Sequence, residues 1–402
     1  MIPLNPDRTF HFELLRVLAH ARYYGADIAE VLEASSQIEP GNFESWCTVF
    51  TTLAYRVESY VDSTDAKKYP VSVRDALFRA SSYYRAADFY LHGDPYDPRI
   101  NELWDRQTKC FDRAMTLLDT PGERVTIKTE AFEIPTIFFR AKGGAKIPKP
   151  TIILGNGFDG SQEEMMHTSG FAALERGYNV ITYEGPGQCS VRRSQNLGFI
   201  YNWEKVVTPI IDHYANFPEV EEKQVALLGH SFGGYLAARA AAFEHRIAAV
   251  ILIDGLYSFY DASENLMPDA SKSLLESGGE ILQEAMLEKI KAMGTMMRWA
   301  MDQGMWSFNV ATSTEFLEKA KMMTLDGIVD KIQCPVWVGD AAEDQFFKGQ
   351  PQKVADAVGE RATLVVFTAK DGAANHCHAG AAVRMNQLVF EWLQENMIDS
   401  QK

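Results

Sequence analysis

Apolar residues recur at three- and four-residue spacings from Phe10 to about Leu118, as in "FHFELLRVLAHARYYGADIAEVLEAS" and "VRDALFRASSYYRAADFYL". That period places one apolar stripe along a helix. Turn-forming clusters such as "EPGN" and "HGDPYDPR" cut the stretch into separate helices. An all-helical N-terminal domain over residues 1–122 is predicted.

The period then shortens to two. "RVTIKTEAFEIPTIFFRA" alternates and is rich in β-branched and aromatic residues, which predicts two antiparallel strands. After "KGGAKIPKP" come "TIILG", "NVITYEG", "VALLG", "AAVILIDG", "PVWVGD" and "ATLVVFT". These short, nearly continuous apolar runs suit strands buried on both faces, and helical segments separate them. Alternating strands and helices predict an α/β body over residues 123–402, with a mostly parallel sheet covered by helices on both faces.

One interval breaks the rhythm. No strand pattern appears over about 257–326, where the chain is helical and carries Met286, Met293, Met296, Met297, Met301 and Met305. The expectation is a helical lid inserted over the carboxyl edge of the sheet. Methionines at such spacing can simply fill a core. Alternatively, Met297 and Met301 with Trp299 and Trp306 form an adaptable apolar wall against a bulky, ring-containing substrate.

Composition narrows the field. At 402 residues, with 46% hydrophobic and 23% charged residues, the chain can bury a sizeable core. A formal net charge of -15 and no basic stripe argue against a nucleic-acid partner. The opening "MIPLNPDRTFHFELL" lacks a basic region followed by a long apolar core, and no segment approaches a membrane span, so a cytoplasmic protein is expected. Its five cysteines (Cys47, Cys110, Cys189, Cys334, Cys377) never form a CxxC pair, which points to reduced thiols and no metal site.

The chemistry concentrates in "QVALLGHSFGGYLAARAAAFEH", residues 224–245. Gly229-His230-Ser231-Phe232-Gly233 has the G-x-S-x-G form, entered from a buried strand and left by a helix. A sharp strand-to-helix turn needs glycines where side chains would collide, and it lifts the serine to the helix N-terminus. Ser231 is therefore the candidate nucleophile; a plain helix-capping serine is the alternative. A serine hydroxyl needs a base held by a carboxylate. Both follow in the order an α/β-hydrolase fold requires: "PVWVGDAAEDQFFKGQP" offers Asp344 and its rival Asp340, and "AKDGAANHCHAGA" offers His376 and its rival His378. Asp344 is preferred because it lies in the loop, where the chain can turn back. Oxyanion donors are expected from the amide of Phe232 and from Gly157 or Phe158 in "ILGNGFDGSQEE". Asp159 in that loop is either a turn former or a proton-handling group at the site mouth.

"TYEGPGQCSVRR", "GHSFGGYLAARAAA", "DQFFKGQ" and "NHCHAGA" together resemble the α/β-hydrolases of the fungal polyketide-shortening, yellowish-green pigment type and their bacterial relative, 2,6-dihydropseudooxynicotine hydrolase. The resemblance runs over most of the chain. It implies cleavage of a carbon–carbon bond beside a ketone, with Ser231 as nucleophile, Asp344 as orienting acid and His376 as base. It also implies a catalytic role for Asp159, where the nicotine-pathway relative has a glutamate, and a homodimer formed through the helical domain. Bacterial relatives often read G-P-G-Q-G, whereas Cys189 follows Gln188 here. No cofactor is expected, since "GNGFDGSQ" lacks the Gly-Lys-Ser/Thr of a P-loop and "YEGPGQ" lacks G-x-G-x-x-G spacing. The same acyl-serine chemistry would serve an esterase, a lactonase or an acyl-transfer enzyme, and a ligand-binding protein on a hydrolase scaffold is a third class.

Overall fold

Phe10, Trp46, Phe50, Phe78, Tyr83, Tyr84 and Phe111 are almost wholly buried, and they come from four different N-terminal helices. In the computed structural model, which describes residues 1–143, 147–266 and 294–401, these helices are α1 (Arg8–Ala19), α2 (Ile28–Gln37), α3 (Phe43–Ser59), α4 (Pro70–Asp88) and α5 (Arg99–Met115). Their starts follow local rules. Asp7, Asp27 and Asn42 each accept backbone N–H bonds at the first turns of α1, α2 and α3, and Pro70 opens α4, where a missing N–H costs nothing. Trp46 packs against Phe10 at 5.0 Å and edge-on to Tyr90 at 5.2 Å, while its indole N–H donates to the Ala86 carbonyl at 2.7 Å. The ring area is buried without orphaning its polar atom.

The chain divides into two compact units. One unit holds Met1–Gly122 together with the described residues up to Trp306; the other runs from Glu123 and resumes at Ser307. The described residues of the interval 257–326 are divided between the two units. The helix Thr295–Ser307 carries its apolar stripe into the helical unit: Trp299 stacks on Phe89 at 5.2 Å and Trp306 lies over the His92 ring at 3.9 Å. Gln303 Oε1 is 2.6 Å from His92 Nδ1, fixing the same face. By contrast, the helix Ser313–Lys321 belongs with the second unit, where Ser258 bridges to Thr324. Met286 and Met293 lie outside the described residues.

The second unit is built on an eight-stranded sheet: β1 (Glu123–Lys128), β2 (Glu133–Phe139), β3 (Lys149–Gly155), β4 (Asn179–Tyr183), β5 (Val220–His230), β6 (Ala249–Ile253), β7 (Val336–Ala341) and β8 (Ala362–Phe367). Their order is β1-β2-β4-β3-β5-β6-β7-β8. The first two pairings are antiparallel and the rest parallel, as the shift from alternating to continuous apolar patterning predicts. Every residue of β4 and β6 is buried. In such a sheet, ligands meet the chain beyond the carboxyl ends of the strands. Gly155, His230, Ile253, Ala341 and Phe367 close five neighbouring strands at that edge, and the loops that follow carry the polar residues of interest. Among the described residues no helix is long and apolar enough to cross a membrane.

Candidate active site

The elbow after β5 is set by glycines. A Cβ on Gly229 would lie 1.9 Å from the Gly233 carbonyl oxygen, and one on Gly233 would lie 2.9 Å from the Asn156 carbonyl oxygen, so neither position accepts a side chain. Between them Ser231 adopts φ +61°, a left-handed conformation that a non-glycine residue holds only where its surroundings enforce it. Its N–H donates to the Ile253 carbonyl at 3.0 Å. Phe232, not Ser231, is the N-cap of the following helix Gly233–Ala241. The hydroxyl is thus left outside the helix, half-buried, and pointing at a histidine.

That histidine is His376. Ser231 Oγ is 2.8 Å from its Nε2, and its Nδ1 is 2.8 Å from Asp344 Oδ2. The other Asp344 oxygen accepts the backbone N–H groups of Phe346 and Phe347, at 2.6 and 3.0 Å, which fixes the carboxylate. The Phe346 and Phe347 rings flank the imidazole, each 4.9 Å from it. Burial works against the His376 imidazolium, but Asp344 and a second carboxylate outweigh it and hold its pKa well above the ordinary value. Burial also raises Asp344, helped by that second carboxylate and opposed by His376.

The rivals separate on geometry. Asp340 falls inside β7 rather than after it, and of the two Asp344 is the one that reaches His376. His378 is buried, not at the surface. Its ring packs 3.9 Å from Phe367 over the bare Cα of Gly339, and its Nδ1 is 3.2 Å from the Ala373 carbonyl.

The loop after β3, the candidate source of an oxyanion donor, is equally constrained. A Cβ on Gly157 would lie 2.6 Å from the His230 carbonyl oxygen and 2.8 Å from the Phe232 nitrogen, so this loop presses directly on the elbow. The Gly157 N–H is committed to Asn156 Oδ1 at 2.7 Å, which moves the second candidate donor from Gly157 to Phe158. Beneath the loop, Gln188 Nε2 donates to the Asn156 and Gly157 carbonyls at 2.7 and 3.2 Å, and Gln188 Oε1 accepts from Gly185 N–H at 2.9 Å. The E-G-P-G-Q motif is therefore a support for the loop. Cys189, the departure from G-P-G-Q-G, directs its thiol to the Asp159 and Gly160 carbonyls at 3.5 and 3.4 Å. Glu184, the motif's acid, accepts from Gln162 N–H at 2.9 Å and Ser190 N–H at 2.7 Å; burial and the neighbouring Glu163 push its pKa up to about 7. Asp159 sits half-buried on the same loop.

Around the serine the wall is aromatic. Phe232 packs on Phe259 at 4.6 Å and on Phe199 at 5.1 Å, and Phe158 packs on Phe259 at 5.5 Å. Met297, Trp299, Met301 and Trp306 are all buried, within the helical unit.

Asp254 was not singled out from the sequence. It directly follows β6, is fully buried, and places Oδ2 3.0 Å from His376 Nδ1. The signal available was an acid ending a buried strand at the ligand-binding edge, in "ILIDG". Among the described residues, Asp254, His376 and Cys377 also form a group whose candidate ligand atoms lie within 4.8 Å of one another. Burial raises the Cys377 thiol to about 12, which disfavours the thiolate a metal requires, and His376 Nδ1 is engaged with carboxylates. These donors suit proton handling better than coordination.

Comparison with known proteins agrees with the fold and motifs. Residues 152–387 match the alpha/beta hydrolase family. Hydrolase acrC of Aspergillus aculeatus is 30% identical over 98% of both chains, and 20-hydroxy-prefusarin hydrolase FUS2 of Gibberella moniliformis is 28% identical over 96% of this chain and 95% of that one. The crystal structure of 2,6-dihydroxy-pseudo-oxynicotine hydrolase superposes with a TM-score of 0.75 at 20% identity, covering 95% and 96% of the two chains. With a family match that starts in β3 and runs into the helix Ala382–Leu393, and with acrC aligned nearly end to end, the chain belongs to the alpha/beta hydrolase family.

Proposed function

We propose that this hydrolase cleaves a carbon–carbon bond beside a ketone in an aromatic, polyketide-type substrate such as an aryl β-diketone. The observation that carries the chemistry is the unbroken relay from Ser231 Oγ through His376 to Asp344, with 2.8 Å at both junctions. His376 takes the serine proton as Ser231 attacks the ketone carbon. The tetrahedral oxyanion accepts hydrogen bonds from the Phe232 and Phe158 amides. Collapse breaks the carbon–carbon bond and expels an enolate or electron-rich aromatic carbon, which takes the proton carried by the His376 imidazolium, directly or passed on through Asp159, leaving His376 neutral again. Water, deprotonated by His376, then releases the acid from the acyl-enzyme.

Three things support the choice of bond and substrate. The motifs resemble those of polyketide-shortening hydrolases, and FUS2, named for 20-hydroxy-prefusarin, aligns over nearly its whole length. The phenylalanines beside the nucleophile supply an apolar wall suited to a ring. The substrate wall is assigned to these rings, and Met297, Trp299, Met301 and Trp306 to the core of the helical unit. The test is product analysis of purified protein on matched aryl β-diketones and simple aryl esters. Release of an aromatic ketone and a carboxylic acid from the diketones supports the reading, with Asp159→Asn impairing ketone cleavage more than ester hydrolysis. Turnover of esters alone would refute it in favour of an esterase.

A further inference from the structure

Asp254 is placed at some cost to the fold. The residue is fully buried and holds φ +60°; Cys377 and His378, which it faces, hold φ +53° and +55°. Left-handed backbone at three non-glycine residues that meet in space, two of them adjacent in the chain, marks a site held in shape by its surroundings. Gly234 makes room for it, since a Cβ there would lie 2.8 Å from the Asp254 carbonyl oxygen. Asp254 Oδ2 accepts the Cys377 N–H and lies 3.0 Å from His376 Nδ1, almost as close as Asp344 at 2.8 Å. Its Oδ1 makes no hydrogen bond and stands 3.7 Å from His378 Nε2. A turn lock alone would not need a buried carboxylate with a spare oxygen, because a buried acceptor without a donor is destabilising.

We infer that Asp254 is a second carboxylate partner of His376, a positioning residue that shares with Asp344 the task of orienting the imidazole and stabilising its imidazolium form. This rests on the reading of Ser231 as nucleophile and His376 as base. One N–H shared by two carboxylates stays correctly tautomerised when either is lost. Two nearby negative charges also keep the ring protonated longer, which helps a base that must later protonate a carbon leaving group. The charged or titratable groups around the ring come from four places: Ser231 at the β5 elbow, Asp254 after β6, Asp344 after β7, and Cys377 and His378 on the ring's own turn. Burial opposes ionisation of Asp254, but His378, His376 and the Cys377 amide overcome it and hold its pKa well below the usual carboxylate range, so its charge is present at neutral pH.

The experiment compares Asp254→Asn, Asp344→Asn, the double variant and Ser231→Ala in the full chain. The readouts are the pH profile of kcat/KM on an activated aryl ester and the low-field NMR signal of the His376 Nδ1 proton. Loss of a sole orienting acid costs about 10⁴-fold in kcat. Here each single variant is expected to lose no more than roughly 100-fold, and the double variant about 10⁴-fold. Removing the Asp254 charge destabilises the imidazolium, so the acid limb of the Asp254→Asn profile moves to lower pH. The Nδ1 proton signal survives in Asp344→Asn. The inference is overturned if Asp344→Asn alone falls as far as the double variant and loses the signal, or if the acid limb of Asp254→Asn stays at the wild-type pH. Should Asp254→Asn fail to fold, the Asp344→Asn activity and NMR signal decide the matter alone. Retained turnover in Ser231→Ala would sink the underlying reading, whereas abolished turnover there with a wild-type limb in Asp254→Asn sinks only the role of Asp254.

Discussion

Gly157→Ala is the smallest change that should disable the oxyanion loop while leaving every polar side chain of the site in place. The added Cβ would stand 2.6 Å from the His230 carbonyl oxygen, 2.8 Å from the Phe232 nitrogen and 3.1 Å from the Gly233 nitrogen. All three are backbone atoms of the elbow, so none can swing away as a side chain would. Ordinary contacts begin at about 3.5 Å, so the loop must retreat by roughly 1 Å. That displacement carries the Phe158 amide with it, and a hydrogen bond of about 2.9 Å stretched by 1 Å is no longer one. Losing one oxyanion donor typically costs 10²–10³ in kcat, about 2.7–4 kcal/mol of transition-state stabilisation. The assay is kcat/KM on an activated aryl ester, measured below the melting temperatures of both proteins. A folded Gly157→Ala protein within threefold of wild type would refute the placement of the oxyanion site between this loop and the elbow.

Other expectations follow from the supports of the site. Gln188→Ala leaves the Asn156 and Gly157 carbonyls without their buried donor, and should lower kcat by roughly 10- to 100-fold with little change in KM, read from steady-state kinetics. Glu184 has a folded-state pKa of about 7 against an ordinary 4.5, so the native chain holds its proton more tightly than the unfolded chain does. Stability from this group is present below pH 4.5 and is lost as pH rises through 7, by about 3 kcal/mol. Urea unfolding at pH 5 and pH 7.5 should therefore show a smaller difference in Glu184→Gln than in wild type. Trp299→Ala removes a buried ring stacked on Phe89, and should cost about 3–5 kcal/mol in denaturant unfolding.

How far the sequence reveals this molecule differs from element to element. The buried strands were legible because continuous apolar runs of five or six residues, bounded by turn residues, leave few alternatives. Ser231 was legible because the glycines beside it are steric necessities of a turn between a strand and a helix. Asp344 is preferred to its rival because it lies in the loop, and the strand bounds give the same reason, since β7 runs on to Ala341 and keeps Asp340 in the strand. Asp254 was illegible for a different reason. An acid at the end of a strand is common, and only the long-range approach of the His376 turn to β6 gives it a partner. The helix Thr295–Ser307 shows the same limit: periodicity declares that it has an apolar face, but the partners of that face, Phe89 and His92, lie some two hundred residues earlier.

The central claim is that Ser231 is a nucleophile activated by His376, and intact-protein mass spectrometry after treatment with a fluorophosphonate tests it most directly. One adduct per chain is predicted in wild type, absent in Ser231→Ala and formed at least 10³-fold more slowly in folded His376→Ala. Wild-type protein that takes up no adduct, or Ser231→Ala that labels as wild type does, would contradict the account.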